Sequence, residues 1–364
     1  MSFRLIAASA SLLALAACGA PPPEEQTAEA PAAGATAPAG SPVLTVAQIE
    51  AGVPAAAPAA APAPAPTTPT APGADPATPP TAAPTPPDPG LVRLQILLDR
   101  SAFSPGVIDG LHGENTRQAI AAWRKANNLG QGDVADAALL ERLARTDAAP
   151  VMASYTLTAA DVGGPFSPPP GGDLQAQAAG GANYSTPLER LAERFHITEA
   201  LLQGLNPGVD FRRAGQAIVV PAVADRPIGQ VARIVIDKSE RSARAFDASG
   251  KLLAFYPATI GSSERPAPSG TLRVVGVAPE PDYTYDPAKL SYDRGDKKVV
   301  VPAGPNNPVG SVWIELSRDS YGIHGSPDPS KIAKTASNGC IRLTNWDAEQ
   351  LAAAVKPGVE VRFI

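Results

Sequence analysis

The 364-residue chain has a net charge of −5, 42 prolines and only 5% aromatic residues. That charge, with no basic run of five or more residues, argues against a nucleic-acid binder, which needs a cationic face for phosphates. The proline content and sparse aromatics imply long unstructured stretches beside segments that fold. Two cysteines, Cys18 and Cys340, lie far apart. A secreted protein could join them in a disulfide, but Cys18 falls in a segment of targeting type, which leaves Cys340 as the lone thiol of the folded part. A lone Cys with a His elsewhere in the chain is a candidate nucleophile.

Residues 1–18 read MSFRLIAASASLLALAAC, with Arg4 supplying the positive end and an apolar run from Leu5 to Ala17. Such a run is too short to span about 30 Å of hydrocarbon as a helix, and it has the length of a signal-peptide core. Leu15-Ala16-Ala17-Cys18 resembles the bacterial lipobox. The resemblance implies that Cys18 becomes an acylated N-terminus and a membrane anchor. Gly19, rather than Asp, follows the Cys, which by similarity to Gram-negative lipoproteins implies the outer membrane. An ordinary signal peptide cleaved near Gly19 remains the alternative.

Residues 19–90 hold 20 of the 42 prolines. They read as a Pro/Ala-rich disordered tether, extended and semi-rigid, whose reach cannot exceed the order of 200 Å at about 3.1 Å per residue. One interruption, from Val43 to Glu50, reads as a short transient helix without a partner, with a docking segment as the other reading.

From residue 91 the pattern changes to helical. Leu91, Leu94, Leu97 and Leu98 share one face, Ile120 and Trp123 another, and Leu139, Leu140 and Leu143 a third. The Gly-rich SPGVIDGLHGENT lies between the first two, which predicts three short helices around one core over 91–147. PGVIDGLHGENTRQAI and AAWRKANNL resemble the peptidoglycan-binding-like three-helix domain. His112, inside the turn, reads as exposed or locally hydrogen-bonded.

Residues 154–222 predict strand, helix, helix, strand: Tyr155 to Leu157, then Leu188, Leu191 and Phe195, then Leu201, Leu202 and Leu205, then Ala217 to Val220 before Pro221. The ending, Asn206-Pro207 and then Gly215-Gln216-Ala217-Ile218-Val219-Val220-Pro221, resembles a LysM domain, a small α+β unit. A Gly/Pro/Ala-rich insertion at about 163–184 departs from that family. His196 reads as structural or surface.

Residues 229–364 are β-rich, with apolar or alternating runs at 232–236, 252–256, 272–277, 299–301 and 312–316 and one helical stretch at 346–355. Short strands over this length predict a sandwich or partly closed barrel. Tyr321-Gly322-Ile323-His324-Gly325-Ser326 is followed by Ala336-Ser337-Asn338-Gly339-Cys340-Ile341-Arg342-Leu343. A free thiol is mostly protonated near neutrality, so a neighbouring imidazole is needed to take its proton and later return it to a leaving amine. Glycines keep the backbone open, and N–H groups at Gly339 and Cys340 could form an oxyanion hole. A spacing of 16 residues between His324 and Cys340 suits a loop joining adjacent strands.

These residues resemble the L,D-transpeptidase (YkuD) domain, with its His-Gly and later Ser-x-Gly-Cys-x-Arg. Arg265 to Thr271 and Gly304 to Gly310 resemble two further signatures of that family, so the resemblance covers nearly all of 229–364. It implies Cys340 as nucleophile, His324 as base and acid, and the Gly325 carbonyl as orienter of the imidazole. It implies a donor tetrapeptide of peptidoglycan as substrate, D-Ala as leaving group, a stem amine as acceptor forming a 3–3 crosslink, and carbapenem-type β-lactams as covalent inhibitors. Gly339 belongs to the catalytic turn, and Ser337, Asn338, Arg342 and Tyr321 are candidate substrate contacts. Many members have His where Asn338 stands; Asn does not titrate near neutrality, which places the base role on His324. Arg342 reads equally as a carboxylate clamp or a structural ion pair. Tyr283, Tyr285 and Trp313 read as candidates to line the cleft, with a core place the preferred reading for Trp313. No metal spacing and no phosphate loop is present, and no cofactor is expected. The acceptor could instead be an envelope protein or water, giving carboxypeptidase or amidase chemistry. A non-catalytic wall tether is the reading of a different class.

Overall fold

The computed structural model describes residues 44–55, 85–169, 173–223, 226–288 and 296–364. Cys18, its signal segment and most of the Pro-rich tether lie outside the described residues. Among the described residues, no helix is long and apolar enough to cross a membrane.

The first helix, α1 (Val46–Ala51), starts at a capping box in which the Thr45 hydroxyl accepts from the Gln48 N–H while the Gln48 side chain reaches back. It is not the unpartnered helix expected from its surroundings. Ile49 is fully buried among Leu91, Leu94 and neighbouring side chains, and the Glu50 carboxylate accepts from the Met152 N–H at 2.9 Å. Helices α2 (Pro89–Arg100), α3 (Glu114–Ala126) and α4 (Ala137–Thr146) follow. Asp88 and Asp136 cap α2 and α4 by accepting from the N–H groups of Leu91 and Leu139.

The second unit pairs β1 (Met152–Thr156) antiparallel with β2 (Ala217–Pro221). Between them run α5 (Ala159–Val162), α6 (Leu174–Gly180), α7 (Pro187–Arg194) and α8 (Glu199–Leu205). One continuous apolar core joins α1 to α4 with α7, α8 and both strands, and Phe255 of the third unit enters it. His112 is exposed. His196 is buried, its Nδ1 3.1 Å from the Asp99 carboxylate and its ring stacked on Trp346 at 4.7 Å.

The third unit is mostly β. Its strands are β3 (Arg233–Asp237), β4 (Ser242–Phe246), β5 (Leu252–Pro257), β6 (Thr259–Ile260), β7 (Gly270–Pro279), β8 (Tyr283–Tyr285), β9 (Val299–Val301), β10 (Val312–Leu316), β11 (Gly322–His324), β12 (Ile341–Arg342) and β13 (Glu360–Phe363), with α9 (Asn345–Ala354) before the last. One sheet runs β5-β4-β3-β13-β7-β10-β11-β12-β6, and β8 pairs with β9 separately. Only Ala258 separates β5 from β6, yet these strands stand at opposite ends of the order. The sheet therefore curls until its ends meet at that residue, which makes it a partly closed barrel. Its core holds Ile234, Ile236, Ile314, Ile323, Ile341 and Val361, all essentially inaccessible, with Leu351 of α9 packed in.

Candidate active site

Strands β11 and β12 are parallel neighbours with Ile323 opposite Ile341 and His324 opposite Arg342. The two isoleucines are fully buried and pin both strands to the core. His324 is the last residue of β11 and Cys340 immediately precedes β12. The 16-residue spacing thus becomes a crossover loop delivering both side chains to one cleft of about 1090 Å³, which Trp313, Tyr321, Asn338 and Arg342 also line.

His324 is only 2% exposed. Its Nδ1 donates to the Gly325 carbonyl at 2.7 Å, which leaves Nε2 as the nitrogen able to accept a proton. Burial, helped by the Arg342 charge, lowers its pKa to about 3, against the pull of the Gly325 and Val309 carbonyls. The Cys340 thiol donates to the Ser320 carbonyl at 3.4 Å. Burial raises its pKa, opposed by the Gly322 N–H and by Arg342. Both shifts favour the neutral forms, a thiol and an imidazole, in the resting cleft near neutrality.

The turn before Cys340 is closed by Ser337. Its hydroxyl donates to the Cys340 carbonyl at 2.6 Å and accepts from the Gly339 N–H at 3.3 Å. Its own N–H donates to the Gly261 carbonyl at 3.0 Å. Ser337 is 3% exposed, and these bonds make it part of the turn's own scaffold. The Gly339 N–H is engaged by that hydroxyl. Gly339 has φ +108°, and a Cβ there would lie 3.0 Å from the Tyr321 ring, so both backbone and space call for glycine. Asn338 accepts from Arg265 at 2.7 Å, tying the Cys loop to the 262–267 loop.

Other sequence readings shift. Tyr283 lines the cleft, but Tyr285 is 1% exposed and packs beneath α6 with Val299 and Val301. Trp313, read as core, is a cleft wall whose ring stacks on His324 at 5.4 Å. Its neighbour-but-one Glu315 is exposed on the same face of β10, and period-two alternation from that Glu was the available signal.

Asn345 is a residue that sequence reasoning missed. Its Oδ1 accepts from the N–H groups of Ser311 and Ser326, both at 3.1 Å, and its Nδ2 donates to Glu193 of α7 at 2.9 Å and to the Pro305 carbonyl at 3.2 Å. The Oδ1 lies so close to Gly310 and Gly325 that a Cβ on either would meet it at 2.2 Å. Asn345 thereby fixes the backbone on both sides of the histidine, including the carbonyl that sets its tautomer.

The region carrying this site, residues 231–362, matches the family model of the L,D-transpeptidase catalytic domain. The YkuD protein of Bacillus licheniformis, named as an L,D-transpeptidase, is 31% identical over 176 residues, 48% of this chain and 91% of that protein. The chain belongs to the YkuD family of L,D-transpeptidases. It is accordingly an enzyme. A second relative, named as the L,D-transpeptidase ErfK/SrfK of Salmonella typhimurium, is 31% identical over 206 residues, 54% of this chain and 66% of that one. The solved catalytic domain of the Enterococcus faecium L,D-transpeptidase acylated by ertapenem is 18% identical, covering 37% of this chain and 98% of that one with a TM-score of 0.30. The YkuD match begins at residue 231, within two residues of β3, so the modules before it lie outside the matched domain.

Proposed function

We propose that this enzyme is a peptidoglycan L,D-transpeptidase that uses Cys340 as nucleophile. The observation carrying the reading is the pair itself: Cys340 and His324 at the ends of adjacent strands, in one cleft, with Nδ1 spent on Gly325. In the first half-reaction, His324 Nε2 takes the thiol proton as Sγ attacks the carbonyl of the third residue of a donor tetrapeptide. A thioester forms, the bond to the terminal D-Ala breaks, and the imidazolium returns its proton to the departing amine. The amine of an acceptor stem then resolves the thioester by the same proton relay, giving a 3–3 crosslink. Because Ser337 engages the Gly339 N–H, the Cys340 N–H is the main-chain donor for the developing oxyanion.

The lipobox reading extends this proposal to the cell envelope. Acylated Cys18 would hold the enzyme on the periplasmic face of the outer membrane, and the Pro-rich stretch ahead of the docked α1 would let it reach the wall. Cys18→Ser should move the protein from the membrane fraction to the soluble periplasm; unchanged partitioning would count against the anchor.

A carbapenem provides the direct test, since opening of its lactam by Sγ leaves a stable adduct. Purified protein should gain one carbapenem mass, and Cys340→Ala should gain none. An adduct that persists in Cys340→Ala sinks the nucleophile assignment.

A further inference from the structure

The insertion in the second unit is built into the cleft of the third. Leu174, 2% exposed, and Ala182, 1% exposed, pack with Tyr285, Val299 and Val301 as a small core of their own. Beside that core, the Gln177 side chain donates through Nε2 to the Asn306 carbonyl at 2.6 Å. Asn306 in turn donates through its N–H to the Ala182 carbonyl at 2.9 Å and through Nδ2 to the Asn183 carbonyl at 3.0 Å. Gly304, with φ +154°, passes so close to Ala182 that a Cβ there would stand 2.2 Å from the Ala182 oxygen. The chain from 304 to 309 is thus clamped against the insertion, and the same chain brings Val309 to His324.

Two uncharged amides on this wall keep accepting capacity. Gln177 lines the cleft at 8% exposure with one Nε2–H given to the Asn306 carbonyl, and its Oε1 is the side chain's acceptor. Asn306 also lines the cleft, and its buried Oδ1 has no hydrogen-bond partner among the described residues. Buried polar atoms left unmatched are costly and concentrate at functional sites. Neutral acceptors suit the N–H groups of a peptide and disfavour a carboxylate.

We propose that Gln177 is a specificity-determining residue of the cleft, supplied by the second unit: Nε2 fixes the 304–309 wall while Oε1 accepts from a backbone N–H of the peptide substrate. This rests on the transpeptidase reading. Gln177→Met keeps the volume and removes both hydrogen bonds; Gln177→Glu keeps an acceptor but removes the donor and adds a charge. Purified full-length enzyme and both variants would be assayed for D-Ala release from a stem tetrapeptide, with the carbapenem adduct on Cys340 reporting an assembled site.

The expected result is an adduct in all three proteins and a KM for the tetrapeptide raised about tenfold in Gln177→Met, with kcat within about twofold. Gln177→Glu should be impaired in the same direction, and it decides the matter if the Met variant does not fold. An unchanged KM, or a kcat loss without a KM change, overturns the proposal, as does loss of the adduct in both variants, which would make the role purely structural. Wild-type protein that takes the carbapenem but releases no D-Ala would overturn the substrate reading, and this proposal with it.

Discussion

At the scale of single residues, Arg342 acts on both halves of the pair in opposite chemical senses. Its charge stabilises a thiolate on Cys340 and destabilises an imidazolium on His324, so it lowers both pKa values. Removing it in Arg342→Gln should therefore raise both. In the wild-type enzyme, alkylation of Cys340 by iodoacetamide should rise only at alkaline pH, with its midpoint above the ordinary thiol value of about 8.5. The variant's midpoint should move higher still. A rate plateau between pH 5 and 8 would instead indicate a preformed thiolate–imidazolium pair and contradict the burial argument. That His324 and Cys340 share one cleft was legible in the sequence because both fall in a short, ordered motif. The Ser337 hydroxyl is engaged within its own turn, a local geometry that residue type alone does not reveal.

At the scale of elements, sequence legibility tracked how local each element's stabilisation is. The strand 312–316 has the same bounds in both readings because alternation marks it, and the segment 299–301 is a short β-branched run. Strand β4, Ser-Ala-Arg-Ala-Phe, escaped notice because small residues carry little pattern; it exists through its ladders to β3 and β5. Strands of two or three residues such as β6, β11 and β12 likewise owe their state to partners far away in sequence. Helix α1 is the clearest case. Its six residues are too few to be stable alone, and its flanks read as tether, yet Ile49 sits at 0% exposure in the shared core. Ile49→Ala should cost about 2–5 kcal/mol in urea unfolding of the full chain. A change below about 0.5 kcal/mol would mean that α1 contributes no core contact.

At the scale of the whole molecule, buried acids lie where the second and third units meet. Glu193 of α7 is 7% exposed and accepts from Asn345 Nδ2 at 2.9 Å; burial, with the nearby Glu189 and Glu349, raises its pKa to about 8. Asp347 of α9 accepts from the Ser104 hydroxyl at 2.8 Å, and burial beside Asp99 raises its pKa to about 7. In the unfolded chain these carboxyls would titrate near 4.5 and 3.8. A raised carboxyl pKa means that the folded state holds its proton longer, so the stabilisation is complete below the unfolded value and is lost as pH rises through the folded one. His324 runs the other way: its lowered pKa makes the unfolded state bind the extra proton, so its contribution is lost as pH falls below 6.5 toward about 3. Above pH 6.5 the histidine no longer contributes a slope; Asp347 pulls stability down to about pH 7 and Glu193 on to about pH 8. Thermal unfolding of the full chain should therefore show a Tm lower at pH 8.5 than at pH 6.5 by several degrees, at about 2–4 °C per kcal/mol. Glu193→Gln with Asp347→Asn, which replaces each acid by a neutral side chain of similar shape, should flatten that slope. A wild-type Tm that stays level or rises over this interval would show that the contact between the units does not hold these acids in protonated form. Because Asn345 joins Glu193 to the backbone around His324, the same titration should be felt in the cleft, as a pH-dependent loss of the proposed transpeptidase activity that the Glu193→Gln variant escapes.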